Sequence, residues 1–247
     1  MTTNLDFTDN VALVTGAGRG LGLALARELG RRGARVGLVA RDAAALRAAV
    51  DSLRGEGVVA EAIVGDVGDK RAIHAIAHQA AALLGPVDLL IHNASTLGPA
   101  PLRLLLDTEC EDFERALQVN LLGPFRLSKV IAGAMALRGR GTIVHVSSDA
   151  AVEAYPRWGA YGASKAALDH LSRTWAAELE GTGVRVLAID PGEMDTQMHA
   201  DAIPEADRSS LADPADVARW IAAIVRDPAG APSGARVRAD DWKEGRR

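Results

Sequence analysis

Apolar runs rich in β-branched residues recur along the chain at wide, regular spacing: VALV (11–14), ARVGLVA (34–40), VVAEAIV (58–64), VDLLIH (87–92), TIVHVS (142–147), VRVLAI (184–189) and ARVRA (235–239). Between them lie alanine- and leucine-rich stretches whose apolar positions repeat with the period of a helix, LGLALARELG and AAALRAAVDSL among them. Strands alternating with helices predict right-handed βαβ crossovers and a parallel sheet covered on both faces, an α/β fold. No linker, low-complexity tract or solenoid-spaced repeat interrupts the pattern, so residues 1–247 read as one domain. In such sheets ligands bind outside the carboxyl ends of the strands, which directs attention to the residues that follow each run.

The first run leads into Thr15-Gly-Ala-Gly-Arg-Gly-Leu-Gly22 and then a helix. Glycines allow close backbone approach, and a helix N-terminus offers free N–H groups to a pyrophosphate. The spacing is T-G-x-x-x-G-x-G on Gly16, Gly20 and Gly22; the common G-x-G-x-x-G pattern fails at Leu21. The second run ends at Ala40 with Arg41 next, where an NAD site would carry an acid. Arg41 and Arg19 together suit a 2′-phosphate, so NADP(H) is expected over NAD(H). Asp42 is read as the cap of the following helix.

Composition narrows the class. Formal net charge is −4 and pI about 5.9, which argues against nucleic-acid and anionic-membrane surfaces. One cysteine, Cys110, allows no intrachain disulfide, and its acidic neighbours disfavour a thiolate. The N-terminal MTTNLDFTDN lacks the apolar core of a signal peptide, and no run is long enough for a membrane span, so a cytoplasmic location is expected. His74 and His78 stand i, i+4, but with no third ligand they read as a solvated helix face, and no metal site is expected. Arg31-Arg32 and Arg246-Arg247 read as surface charge.

Only four of the 28 basic residues are lysines, and one of them, Lys165, follows Tyr161 by four in a helical stretch, GAYGASKAALDHLSRTWAAELE. At that spacing both side chains share a face. An adjacent ammonium favours the phenolate, so the pair is expected to act as an acid/base unit with a lowered phenol pKa. Thirteen residues before Tyr161, Ser148 follows the end of TIVHVS.

This combination resembles the short-chain dehydrogenase/reductase family over nearly the whole chain. The resemblance implies a Rossmann-like, doubly wound, seven-stranded parallel sheet in the order 3-2-1-4-5-6-7. It implies reversible hydride transfer between the nicotinamide and a carbonyl or alcohol, with Tyr161 as acid/base. Lys165 would lower its pKa and hold the nicotinamide ribose, and Ser148 would bond the substrate oxygen. Asn120 falls where the family holds a proton-relay water; Pro124, four residues on, has no N–H for its carbonyl. Asp66 and Val67 fall where the adenine is contacted, and Asn93, Ala94 and Ser95 near the nicotinamide ribose. Pro191, Gly192 and Thr196 fall where the carboxamide is held. Ser95 replaces a usual glycine, and His92, His145 and Leu187 stand where asparagine is commoner. The ending ADDWKEGRR departs from the usual Asp-Gly-Gly.

Residues 193–213 resemble a short substrate lid. Glu193, Met194, Met198 and His199 are expected to line the pocket with Asp149, Glu153, Tyr155 and Trp158, whose acids argue against an anionic substrate. A homodimer or homotetramer built on the helices of Asn120 and Tyr161 is expected from the same resemblance. Two rival readings use related features: a nucleotide-binding redox sensor without turnover, and a sugar-nucleotide epimerase or dehydratase. The first has no need of a tyrosine–lysine pair, and the second has a different glycine spacing.

Overall fold

The computed structural model describes residues 6–243. Its elements alternate as the hydrophobic pattern dictates: β1 (Val11–Thr15), α1 (Gly20–Arg31), β2 (Arg35–Ala40), α2 (Ala43–Gly55), β3 (Ala60–Val64), α3 (Ile73–Leu84), β4 (Leu89–His92), α4 (Cys110–Leu117), α5 (Gly123–Arg138), β5 (Gly141–Val146), α6 (Gly159–Glu178), β6 (Val184–Asp190), α7 (Gln197–Ala202), α8 (Pro214–Val225) and β7 (Arg236–Arg238). All seven strands are parallel, in the order β3-β2-β1-β4-β5-β6-β7.

Because successive strand residues face opposite sides, β1 to β6 each feed two cores, while β7 adds Val237 to one. Ala12, Val14, Leu38, Ile91, Val144, Leu187 and Ile189 pack with α1, α2 and α8. Val11, Leu13, Ile63, Leu90, Ile143 and Val186 pack with α3, α5 and the end of α6. Both faces are covered, and this explains why the runs are continuously apolar rather than alternating. Leu187 is therefore a core residue. His145 and His92, paired across β4 and β5, face the α5/α6 side and are completely buried. Their rings stack at 5.0 Å, His92 Nε2 meets Ser128 Oγ on α5 at 2.8 Å, and His145 Nδ1 meets Ser172 Oγ on α6 at 2.8 Å.

The helical stretch around Asn120 is not one regular helix. Between α4 and α5, Gln118–Leu122 form a π turn in which the Gly123 N–H donates to the Gln118 carbonyl, five residues back. Pro124 cannot donate to the Asn120 carbonyl, so the ordinary ladder cannot pass through, and the register slips at the residue whose placement matters. His74 and His78 lie exposed on α3, and no group of side chains that could hold a metal occurs among the described residues. Arg31 pairs with Glu56 and Arg32 with Glu28 at the surface. No helix among the described residues is long and apolar enough to cross a membrane. Met1 to Leu5, the last four residues of the ADDWKEGRR ending, and with them Arg246 and Arg247, lie outside the described residues.

Candidate active site

At the end of β1 the chain turns through the glycine loop into α1. Gly16 has φ +68°, and a Cβ there would lie 2.7 Å from the Ala94 backbone. A Cβ on Gly22 would lie 2.6 Å from Asn93 Nδ2 and closer still to the Gly16 carbonyl. Gly18 meets only Ala40 Cβ, at an ordinary 3.5 Å. The structure thus demands glycine at the spaced positions and not at Gly18. The loop is pinned from β4: Asn93 Nδ2 donates to the carbonyls of Thr15 and Gly16, and the Thr15 hydroxyl accepts from the N–H groups of Asn93 and Ala94. Asn93 therefore shapes the cradle through its side chain. Leu21 is buried in the core, which leaves its backbone at the start of α1. A backbone cradle opening on a helix N-terminus fits a dinucleotide pyrophosphate.

Arg19 and Arg41 are both exposed, and neither forms a salt bridge among the described residues. The contact of Gly18 with Ala40 puts the glycine loop beside the tip of β2. Asp42 accepts from the N–H groups of Ala44 and Ala45 and caps α2, as the sequence suggests. Asp66, after β3, accepts from Gly68 N–H and Arg115 Nη2. Burial works against its charged form, but these bonds prevail and its carboxyl titrates below the usual range. Val67 is buried beside it.

Asn120 is fully buried and all four of its side-chain bonding positions are used. Its Oδ1 accepts from Thr96 N–H at 2.8 Å and Ser95 Oγ at 3.2 Å; its Nδ2 donates to the Thr96 carbonyl at 2.8 Å and to Ser164 Oγ at 2.9 Å. Ser164 Oγ donates in turn to the Tyr161 carbonyl at 2.6 Å. The Asn120 side chain is a clamp between the segment after β4 and the helix that carries Tyr161.

Ser148, Tyr161 and Lys165 converge at the end of β5. Lys165 Nζ donates to the Val146 carbonyl at 2.7 Å and lies 5.5 Å from the Tyr161 ring centroid. Ser148 Oγ donates to Asp149 Oδ1 at 2.9 Å, and the Tyr155 hydroxyl donates to Asp149 Oδ2 at 2.9 Å. Tyr155 thus has a carboxylate for its partner. It stacks edge-on with Trp158, which stacks edge-on with Tyr161.

One electrostatic expectation is overturned. The Tyr161 phenol is not lowered but pushed up to about 12, chiefly by burial; the Ser148 hydroxyl opposes this, the charges of Asp149 and Asp190 reinforce it, and Ser95 opposes it. Burial also pulls Lys165 down to about 8 against the attraction of Asp169 and Asp190. Desolvation outweighs the ammonium because both groups are nearly inaccessible to water.

The segment after β6 begins with Pro191 and Gly192, whose φ is +73°. Thr196 caps α7, and its Cγ2 lies 3.7 Å from the position of a Cβ on Gly20, over the glycine loop. Met198 packs with Leu97, Ala150 and Tyr161. Met194, expected in the pocket, packs instead against the α1/α8 core, where it bridges to Ala212. His199 Nε2 faces Glu193 at 3.7 Å.

The sequence reading missed three charged residues. Asp169 lies one turn after Lys165 on α6, Asp190 ends β6, and Arg236 of β7 bonds both. In the sequence Asp169 reads as one more polar residue of α6, whose buried face also carries Ser164, Lys165 and Ser172.

A family model described as short chain dehydrogenase matches residues 10–207. A glycine betaine reductase from Emericella nidulans is 35% identical over 227 residues; the match covers 88% of this chain but 18% of that protein's length. Among solved structures, an actinorhodin polyketide ketoreductase variant with NADPH superposes with a TM-score of 0.86 at 30% identity, covering 96% of this chain and 97% of the other. An NAD+-bound xylitol dehydrogenase gives 0.83 at 28% identity, covering 94% and 98%. With the glycine loop, the strand order and the Ser148–Tyr161–Lys165 cluster all in place, the chain belongs to the short-chain dehydrogenase/reductase family.

Proposed function

We propose that the chain is an NADP(H)-dependent oxidoreductase that interconverts a carbonyl and an alcohol through Ser148, Tyr161 and Lys165, with Asn120 in support. The observation that carries this reading is the convergence of these three side chains at one strand end, on the edge of the sheet where the glycine loop also opens. A nicotinamide nucleotide held by Gly16, Gly20, Gly22 and the start of α1 supplies or accepts the hydride. Thr15, Asn93 and Ala94 shape that cradle, Leu21 presents its backbone, and Asp66, Val67, Ser95, Pro191, Gly192 and Thr196 border it.

In the reductive direction Ser148 and Tyr161 hold the carbonyl oxygen, and Tyr161, protonated across the neutral range, donates its proton. Lys165 faces the phenol and stabilises the phenolate that remains. Ser148 reaches the substrate by turning its hydroxyl away from Asp149. The carboxylates of Asp149, Glu153 and Glu193 raise the Tyr155 phenol, after its hydrogen bond to Asp149, so the pocket mouth is electronegative and suits neutral or cationic carbonyl compounds. Arg19 and Arg41 form no salt bridge among the described residues, although the charge of Arg41 is felt by Asp66, and the two guanidiniums support a preference for the 2′-phosphate. We place the enzyme in the cytoplasm. We also infer a homodimer or homotetramer through α4, α5 and α6, supported by exposed Phe125 and Leu137 on α5.

Titration of the purified chain with NADPH and with NADH, read by tryptophan fluorescence, tests the reading. NADPH is expected to bind more tightly, and Arg41→Ala to weaken NADPH at least tenfold while leaving NADH unchanged. Equal binding of both nucleotides removes the phosphate clamp. Binding of neither removes the dehydrogenase reading.

A further inference from the structure

We propose that Arg236 is a positioning residue of the active site: it holds Asp169 and Asp190 and thereby keeps their carboxylates off Lys165. The proposal rests on the role given to Lys165 above.

Lys165 and Asp169 are of opposite charge, stand i, i+4 on α6, and are both buried. That spacing normally brings the two ends together, and with little water to compete the attraction is strong. Yet no ion pair joins them. Lys165 Nζ lies on the Val146 carbonyl at 2.7 Å, toward Tyr161. Asp169 Oδ2 is instead 2.8 Å from Arg236 Nε, and Arg236 Nη2 bonds Asp190 Oδ2 at 3.2 Å and the Ser148 carbonyl at 2.8 Å. Arg236 sits on β7 opposite Ala188 of β6, which is paired in turn with His145 of β5. The planar fork reaches its three acceptors from two separate nitrogens, Nε and Nη2, where a lysine has only one.

The charges explain why the diversion matters. Two carboxylates face two cations, Lys165 and Arg236. Asp190 has a second partner in the Gly192 N–H. Asp169 Oδ1 is buried without a hydrogen-bond partner. Without Arg236, the buried cation one helical turn from the Asp169 carboxylate is Lys165; Arg173, one turn the other way, is exposed and lies on His170. Nζ then leaves the Val146 carbonyl and swings toward the C-terminal end of α6, off the Tyr161 phenol. The Ser148 carbonyl loses its bond from Arg236 in the same event and keeps the one from the Ala151 N–H. A residue on the last strand of the sheet thus decides where the lysine at the end of β5 points.

The test is a rescue. Arg236→Met is expected to lower kcat at least tenfold, and Asp169→Leu/Arg236→Met to return it to within about threefold of the parent, because the carboxylate one turn from Lys165 is gone and Asp190 is still held by the Gly192 N–H. Replacing a buried ion pair by apolar residues of similar volume is commonly tolerated, so the double variant is informative even where the single one does not fold. A single variant that turns over like the parent overturns the proposal. So does a folded double variant that is inactive, the result a merely structural role for Arg236 predicts. If the parent itself reduces no carbonyl compound with either nucleotide, the proposed function fails, and crystal structures decide this proposal alone. Lys165 Nζ on Asp169 in Arg236→Met, or in an Arg236→Gln variant if that one is unstable, supports it. Nζ still on the Val146 carbonyl refutes it.

Discussion

Tyr161 sits in a closed circuit of polar contacts. Its phenol is faced by the hydroxyls of Ser148 and Ser95. Ser95 donates to Asn120, Asn120 to Ser164, and Ser164 back to the Tyr161 carbonyl. Two substitutions separate the parts. Tyr161→Phe removes the proposed proton donor and is expected to cost about 10²- to 10⁴-fold in turnover, with nucleotide affinity kept; undiminished turnover in a steady-state assay would refute the assignment. Ser95→Ala removes a hydroxyl that favours the phenolate once its proton turns from Asn120 Oδ1 to the phenol oxygen, while Asn120 keeps the Thr96 N–H. A neutral hydrogen bond is worth about 1 kcal/mol, so alcohol oxidation near pH 8 is expected to fall about fivefold, with carbonyl reduction less affected because it uses the protonated phenol. Equal losses in both directions would show that Ser95 only holds shape. The tyrosine, lysine and serine were legible in the sequence because their spacing is local or nearly so. The sign of the phenol shift was not, because it depends on how deeply the fold buries the ring. Arg236 was not legible either: its three acceptors lie 67, 88 and 46 residues away.

At the level of elements, the hydrophobic pattern was sufficient for all seven strands: β1 to β6 send apolar residues toward two cores, and β7 offers Val237 to one. Boundaries moved by a residue or two, with Val58 and Val59 of the third run lying before β3 and Asp190 joining β6. The π turn was not legible, because a proline in a helical stretch signals a disturbance without saying how the register resolves it. Met194 was misplaced for a similar reason: one residue of twist after Gly192 turns a lid position into a core position. The glycine loop gives a sharp contrast between glycines that look alike in sequence. Gly22→Ala drives a Cβ into the Gly16 carbonyl and Asn93, both backbone-tied, and overpacking of this kind costs about 1–3 kcal/mol. Nucleotide binding is expected to be lost and the melting temperature to drop by several degrees. Gly18→Ala has room, needs no positive φ, and is expected to leave both unchanged. Calorimetry and a nucleotide titration on the two variants check this, and equal damage from both would remove the assigned spacing.

Across the whole molecule, the stacked pair His92–His145 joins the sheet to α5 and α6, the two helices that frame the catalytic groups, and it does so only while neutral. Burial holds His92 well below its ordinary value, with His145 adding to the effect; burial, then the charge of Lys165, holds His145 at about 3. Both folded-state values are depressed, so below the ordinary histidine pKa near 6.5 the unfolded chain binds protons that the native state refuses. The stability held above pH 6.5 is therefore lost as pH falls, and for His145 the loss continues down to about pH 3. At pH 5 His145 alone forfeits about 2 kcal/mol, a large share of the stability of an ordinary domain, and His92 adds to the loss in the same direction. The carboxylates with lowered values, Asp66 and Asp149 among them, act only below their own ordinary range near 4, so the window from pH 6.5 to 5 isolates the imidazoles. Denaturant midpoints across that window are expected to fall steeply in the parent. They are expected to be nearly flat in a His92→Asn/His145→Asn variant, whose amides can still reach Ser128 and Ser172 without a proton to gain. A parent as stable at pH 5 as at pH 7 would mean that the pair takes up a proton in the folded state, and that the helices beneath Tyr161 and Asn120 tolerate a buried charge.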